Sequence, residues 1–233
     1  MKILISSMLV LAGITAQAQF HSGGVKPVIT KSIGASFQKF DGLNARVAGL
    51  PQFEQLKEHT ATLGLGWMKE NKRVISAGGI TVGSSMSGDN DEKSSTIRYI
   101  GVNADLGYDV IPSDRVILYP LVGLGFQGYQ AIFYKDNSAV AFNDVLTSPT
   151  VQNNIQSVRF NNSFFVYRAG VGFHLKSPKN AANTIGLQAG YTGSFKDKNW
   201  RSNENQALAN PPKDGVGQFF VSLVLTSAPW MSK

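Results

Sequence analysis

The chain has 233 residues, a formal charge of +7, 16% charged residues and no cysteine. The missing cysteine excludes disulfides, thiolate metal sites and lipid attachment at a mature N-terminal thiol. The cations are scattered, and Lys69, Lys72, Arg73, Lys176 and Lys179 fall in short turn-like segments, so the charge does not form a nucleic-acid footprint.

Residues 1–18 read as a secretory signal: Lys2 is the positive start, Ile3 to Ile14 the apolar run, and Ala16-Gln17-Ala18 a small-residue cleavage site before Gln19. The apolar run is too short to cross a bilayer as a helix. No later stretch reaches the roughly 18 apolar residues that such a helix needs. Residues 19–233 therefore read as one exported domain, of a size ordinary for an all-β fold.

Eight strands are predicted, at about 31–40, 60–69, 73–84, 96–110, 116–134, 163–176, 184–195 and 215–226. In the first, Ile33, Ala35 and Phe37 share a face. The second sets Ala61, Leu63, Leu65 and Trp67 against Thr62, Gly64 and Gly66. In the third, Gly78 and Gly79 interrupt the pattern and no face can be assigned. The fourth opposes Ile100, Val102, Ala104, Leu106 and Tyr108 to Gly101, Asn103, Asp105 and Gly107. The fifth opposes Leu118, Val122, Leu124 and Phe126 to Gly123, Gly125 and Gln127, and its Pro120 fits only near a strand end or a bulge. The sixth opposes Phe165, Tyr167, Ala169, Val171 and Phe173 to Arg168, Gly170, Gly172 and His174. The seventh opposes Leu187, Ala189 and Tyr191 to Gly186, Gln188, Gly190 and Thr192. The eighth opposes Phe219, Val221, Leu223 and Leu225 to Gln218, Ser222 and Thr226, with Phe220 and Val224 blurring the polar side.

Alternation of this kind gives each strand one apolar and one polar face. A polar face that meets bulk water usually carries Lys, Glu and Arg. Here it carries Gly, Ser, Gln, Asn and Thr, which suit a cramped lumen. The connections alternate as well: 70–72, 111–115 and 177–183 are short, whereas 41–59, 85–95, 135–162 and 196–214 are long. Short turns on one side and long polar loops on the other are the organisation of a transmembrane barrel. Tyr108, Tyr119 and Phe173 near the short turns, and Tyr129, Phe133, Phe164, Phe165 and Phe195 near the long loops, are expected in aromatic girdles.

The signal, the eight strands and the loop asymmetry together resemble the small outer-membrane barrels of the OmpX and OmpA-transmembrane type. The Ala16-Gln17-Ala18-Gln19-Phe20 junction resembles one from a Bacteroidetes-type Gram-negative secretome. The resemblance covers nearly the whole mature chain and carries no catalytic motif. It implies outer-membrane lipid around the barrel and the barrel-assembly machinery as a partner during insertion. Such barrels usually finish on a strand with a terminal aromatic, and Pro229-Trp230-Met231-Ser232-Lys233 departs from that pattern.

Arg168 and Asp105 are the charges in the middle of clear strands, both on polar faces. They are expected in a lumenal polar network with Asn103, Gln127 and Gln188, either paired or meeting water at different heights, because an unpaired buried charge is costly. His174 lies on the same face and reads as a hydrogen-bonded lumenal histidine. No metal and no cofactor is expected. His59 beside Glu58 and Glu54 makes no tight nucleophile motif. Gly88-Asp89-Asn90-Asp91-Glu92 lacks the spacing of an EF-hand loop and reads as a solvated acidic tip. In the first long loop, Pro51 to His59, with Phe53 and Leu56 at helical spacing, predicts a short helix at the barrel mouth. In 135–162, the apolar stretches Ala139–Phe142 and Ile155–Phe160 predict a hairpin that protrudes and offers an edge to a partner.

The expectation is thus an all-β fold: an eight-stranded antiparallel up-and-down transmembrane barrel with short periplasmic turns, in the outer membrane of a Gram-negative bacterium. Ten strands, with 135–162 adding a hairpin, is the alternative count. The expected role is non-enzymatic, structural in the envelope or interacting at the surface through Phe53, Leu56, Phe142 and Phe160 of the long loops. A soluble lipocalin-like binder with apolar faces turned inward, and a narrow outer-membrane channel, are the competing readings.

Overall fold

Period-two alternation sustained over ten or more residues forms eight long strands: β1 (Val28–Gln38), β2 (His59–Asn71), β3 (Val74–Ser84), β4 (Ser94–Tyr108), β5 (Val116–Tyr134), β6 (Val158–Lys176), β7 (Thr184–Ser194) and β8 (Gly217–Ser227). The computed structural model describes residues 26–85 and 93–228; the expected signal, the acidic run 88–92 and the tail 229–233 lie outside the described residues. Each strand pairs antiparallel with its sequence neighbours, and β1 meets β8 from Ile29↔Ser227 to Gln38↔Gln218. That last ladder closes an eight-stranded up-and-down barrel and leaves no free edge. The ten-strand alternative is overturned: between β5 and β6 the chain forms two short helices, α2 (Phe142–Thr147) and α3 (Pro149–Ile155), in place of a hairpin. Val158–Phe160 is strand as expected, continuing β6.

The apolar faces point outward. Leu63 is 58% exposed, Val122 63% and Phe219 64%, with Leu65, Ile100, Leu106, Leu124, Val171 and Leu187 beside them. Continuous exposed apolar surface of this extent needs a non-aqueous neighbour. This excludes the lipocalin-like arrangement, which would turn these side chains inward. The lipid-facing wall is also where β3 resolves: Val74, Ile80 and Val82 face out, while Ile75 turns inward and is buried.

Two local features show how the chain meets the geometry. Lys72 and Arg73 both take positive φ, 48° and 71°, in the two-residue turn that joins β2 to β3. Tight hairpins demand this, and Asn or Gly meets it more cheaply. Lys72→Asn should therefore stabilise the barrel by about 0.5–1 kcal/mol, seen as a higher urea midpoint; a lower one would contradict this account of the turn. Arg73 is held by Nε donating to the Asp109 carbonyl at 2.8 Å and by the Tyr108 ring 5.0 Å away. Pro120 lies one residue beyond the end of the β4 ladder, which stops at Gly107↔Leu121, so its missing donor costs that ladder nothing.

The girdle expectation needs correction for half of its members. Tyr108, Phe165, Phe173 and Phe195 are exposed on the wall, but Tyr119, Tyr129, Phe133 and Phe164 are buried. Their strand parity places them inside, alongside Ile117 and Leu121 in β5 and Val166 in β6. The first loop also differs. Its helix, α1 (Asp41–Ala48), precedes Pro51, and residues 51–58 hold a turn, bends and irregular backbone but no helix. Phe40, Leu43 and Val47, spaced three and four residues apart, supply the stronger apolar stripe, and all three are buried.

Candidate functional site

The lumen is filled in three layers. Nearest the short turns, Met68, Ile75, Ile117, Tyr119 and Leu121 form an apolar cluster. Tyr119 reaches across because Gly172 offers no side chain; a Cβ there would overlap its ring. The Tyr119 hydroxyl accepts from Gln188 Nε2 at 2.7 Å and lies 3.2 Å from His174 Nε2. On its other side, His174 Nδ1 is 2.9 Å from Thr184 Oγ1, and Thr226 Oγ1 donates to the Ala182 carbonyl. Every polar atom of this buried histidine is thus partnered.

The middle layer is charged. Arg168 Nη1 donates to Asp105 Oδ2 at 2.9 Å, and Asn103 Nδ2 donates to the same oxygen at 2.7 Å. The guanidinium also lies over the Phe220 ring, 4.8 Å from its centroid. Phe220, which blurs the polar side of β8, therefore makes a cation–π contact inside the lumen. Asp105 Oδ1 has no hydrogen-bond partner and packs against Gly123. Beside these groups is a cavity of about 50 Å³, lined by Thr62, Asn103, Gln127, Arg168, Thr192 and Gln218 among others. It has room for a few waters and is far below the size of a small-molecule pocket.

Gln127 belongs to a separate set above. Its Nε2 donates to Gln218 Oε1 at 3.1 Å, and its Oε1 accepts from the Tyr129 hydroxyl at 2.9 Å. Gln218 donates on to Gln38, which joins Ser36 and Thr60. The six lumenal residues expected from the sequence thus share one interior but fall into three groups: Asn103, Asp105 and Arg168; Gln188 and His174; and Gln127. The linking residues Tyr119, Tyr129, Gln38 and Gln218 were missed.

The outer mouth is closed by the first and last long loops. Phe40, Leu43, Val47, Leu56, Trp200 and Val216 bury themselves against Tyr99, Tyr129, Phe133 and Phe164 of the strands. Phe40 meets Tyr129 and Trp200 edge-on at 5.1 and 5.5 Å. The fastening group is Asp214. Its Oδ1 accepts from Gly42 N at 2.7 Å, and its Oδ2 accepts from Leu43 N at 2.9 Å and from Trp200 Nε1 at 2.7 Å. A carboxylate from the last loop therefore caps the first helix, where free N–H groups and the helix dipole favour an anion. Asn44 binds residue 56 in the same way, accepting from Leu56 N and donating to its carbonyl.

Burial pushes the Asp214 carboxyl above its ordinary value, against the opposing pull of the Trp200, Gly42 and Leu43 bonds. A carboxyl held high takes up a proton in the folded state before it does in the unfolded chain, so acid does not weaken this latch by linkage. Amide-exchange protection at Gly42 and Leu43, corrected for intrinsic rate, should be no lower at pH 5 than at pH 7. A marked fall at pH 5 would contradict this.

Of the four loop residues expected to reach a partner, Leu56 is buried and Phe53 and Phe160 pack on the mouth cluster, Phe53 edge-on to Phe133 at 5.9 Å. Those three build the closure and are not free to bind. Phe142 is 76% exposed, and Leu146, four residues on along α2, is 64% exposed.

The profile of the outer membrane protein beta-barrel domain family matches residues 6–217. No curated protein matches the sequence. A crystal structure of a major outer membrane protein from Thermus thermophilus aligns at 10% identity over 86% of this chain and 99% of that one, with a TM-score of 0.50. The attachment invasion locus protein Ail of Yersinia pestis, solved with the heparin analogue sucrose octasulfate, aligns at 15% identity over 88% and 100%, with a TM-score of 0.49. At 10% identity the likeness to the Thermus protein extends to the fold and to no residue's role.

Proposed function

Because the chain belongs to the outer membrane protein beta-barrel domain family, we propose that it is a non-enzymatic barrel acting in the envelope or at the cell surface through its outer loops. The observation that carries this reading is the double closure of the lumen, by the Tyr119 cluster at one end and the Trp200 cluster at the other. A barrel filled in this way holds shape and does not transmit solute. Its outer face is correspondingly built: α1 is capped from the last loop, and α2 of the β5–β6 loop carries Phe142 and Leu146 into the medium. During insertion, β8 would be the strand presented to the barrel-assembly machinery.

The purified barrel in planar bilayers should show no conductance steps above the lipid background. Regular steps would favour the narrow-channel reading. A strain that lacks the protein, complemented by a variant with residues 142–155 replaced by Gly and Ser, separates the two remaining roles. Restored detergent resistance with the variant marks an envelope-structural role; failure of a variant that still folds and inserts marks a role carried by the two helices of that loop. Absence of any envelope or surface phenotype in the deletion strain would overturn both.

A further inference from the structure

A row of arginines crosses the outside of the wall just beyond its apolar belt. Arg98 of β4 registers with Gln130 of β5, Gln130 with Asn161 of β6, and Asn161 with Arg201, in a two-residue segment of the last loop that pairs with β6. Registered residues of antiparallel strands point to the same face, and Gln130 Nε2 donates to Asn161 Oδ1 at 3.3 Å. The face is the outward one, because the alternate residues Tyr99 and Tyr129 are buried in the mouth. Arg159 lies on it too, two residues along β6 from Asn161. Towards the membrane, the next outward positions on β4 to β6 are Ile100, Gly128 and Ser163, and then Val102, Phe126 and Phe165 of the belt.

Arg98, Arg159 and Arg201 are all exposed, and among the described residues none makes an ion pair. Arg98 has no hydrogen-bond partner there. Arg159 Nε donates to Ser157 Oγ, and Arg201 Nη1 donates to the Asn205 carbonyl. By contrast Lys39, also at the outer rim, is neutralised by Glu58 at 3.1 Å. Three guanidinium groups that no other described residue neutralises, spaced across adjoining strands just beyond the apolar belt, want anions that the membrane itself supplies. The planar guanidinium fork suits phosphate oxygens in particular.

We propose that Arg98, Arg159 and Arg201 form a binding site for the phosphate-bearing headgroups of outer-leaflet lipid, with Gln130 and Asn161 spacing the row. The proposal rests on the outer-membrane placement of the barrel and adds a ligand to its wall. The site takes a headgroup and not free phosphate, because the acyl chains of the same lipid lie along the belt directly beneath.

The test is native mass spectrometry of the folded barrel released from detergent micelles with added bis-phosphorylated lipid A, or with its dephosphorylated counterpart. Wild-type protein should retain the phosphorylated lipid at least tenfold better than R98Q/R159Q/R201Q, and K39Q should match wild type. Millimolar inorganic phosphate should leave the complex in place. Equal retention by the triple variant, or equal retention of the dephosphorylated lipid, would overturn the proposal; displacement by inorganic phosphate would overturn the headgroup assignment. A heat-dependent mobility shift on SDS gels, kept by every variant, shows the barrel intact and separates failure of this site from failure of the barrel reading.

Discussion

Asp105→Ala should destabilise the folded barrel by about 3–5 kcal/mol, because it leaves the Arg168 guanidinium in the lumen without its counter-charge. The carboxylate is buried, its Oδ2 takes both Arg168 and Asn103, and the guanidinium also lies over the face of Phe220. Asn103→Ala removes a neutral donor from an oxygen that keeps Arg168, so it should cost about 1 kcal/mol. Urea unfolding in lipid vesicles, followed by the mobility shift on boiling, reads both. Adding Arg168→Met to Asp105→Ala should recover much of the loss, since the uncompensated charge goes with it. Gly123→Ala tests the same pair from the other side: its Cβ would overlap Asp105 Oδ1 and push the carboxylate off the arginine. Equal costs for Asp105→Ala and Asn103→Ala would mean that water already solvates both charges, and the account of this layer would fail.

The barrel was legible because a strand repeats its message. Leu63, Leu65 and Trp67 in β2, or Val221, Leu223 and Leu225 in β8, state the same face several times over, and the loop lengths then order the strands. β3 was opaque at Gly78 and Gly79 for a physical reason: Trp67 from β2 lies over Gly78, so the apolar group of that position sits on the neighbouring strand. Tyr119 and Tyr129 were misread from their nearness to strand ends, although parity with Ile117, Leu121 and Gln127 placed them inside.

The mouth was illegible for a different reason. Asp214 reaches Gly42 across 172 residues, and no period or motif joins a loop carboxylate to a helix that the chain forms far away. Phe53 and Leu56 gave a helical spacing that competed with the longer stripe of Phe40, Leu43 and Val47, and the longer stripe won because it also finds Trp200 and Tyr129 to pack against. The charged pair was legible in part. Alternation put Asp105 and Arg168 on the lumen side, where an eight-stranded barrel leaves little room, but it did not fix their heights. The ladders Asp105↔Gly123 and Gly123↔Arg168 do that and bring the two charges together.

Two seals in series make a prediction that one seal would not. Trp200→Ala removes the largest fully buried side chain of the mouth and should cost the outer closure about 3–5 kcal/mol. Exchange protection at Gly42 and Leu43 should then collapse, since Trp200 and the α1 cap share Asp214. Conductance should nevertheless stay at background, because Met68, Ile75, Ile117, Tyr119 and Leu121 still fill the other end. Tyr119→Ala alone should behave in the mirror sense, opening the space above Gly172 and releasing Gln188 and His174 while the mouth remains shut. Only the double variant joins the polar middle layer to both sides, and it should show small conductance steps; with Arg168 paired to Asp105, these should have weak charge selectivity. Steps from Trp200→Ala alone would mean that the inner cluster is no barrier and that the mouth is the gate of a channel. A silent double variant that remains folded by the mobility shift would mean that the charged layer of Asn103, Asp105 and Arg168, with the Gln127–Gln218 set above it, is itself sufficient to close the barrel.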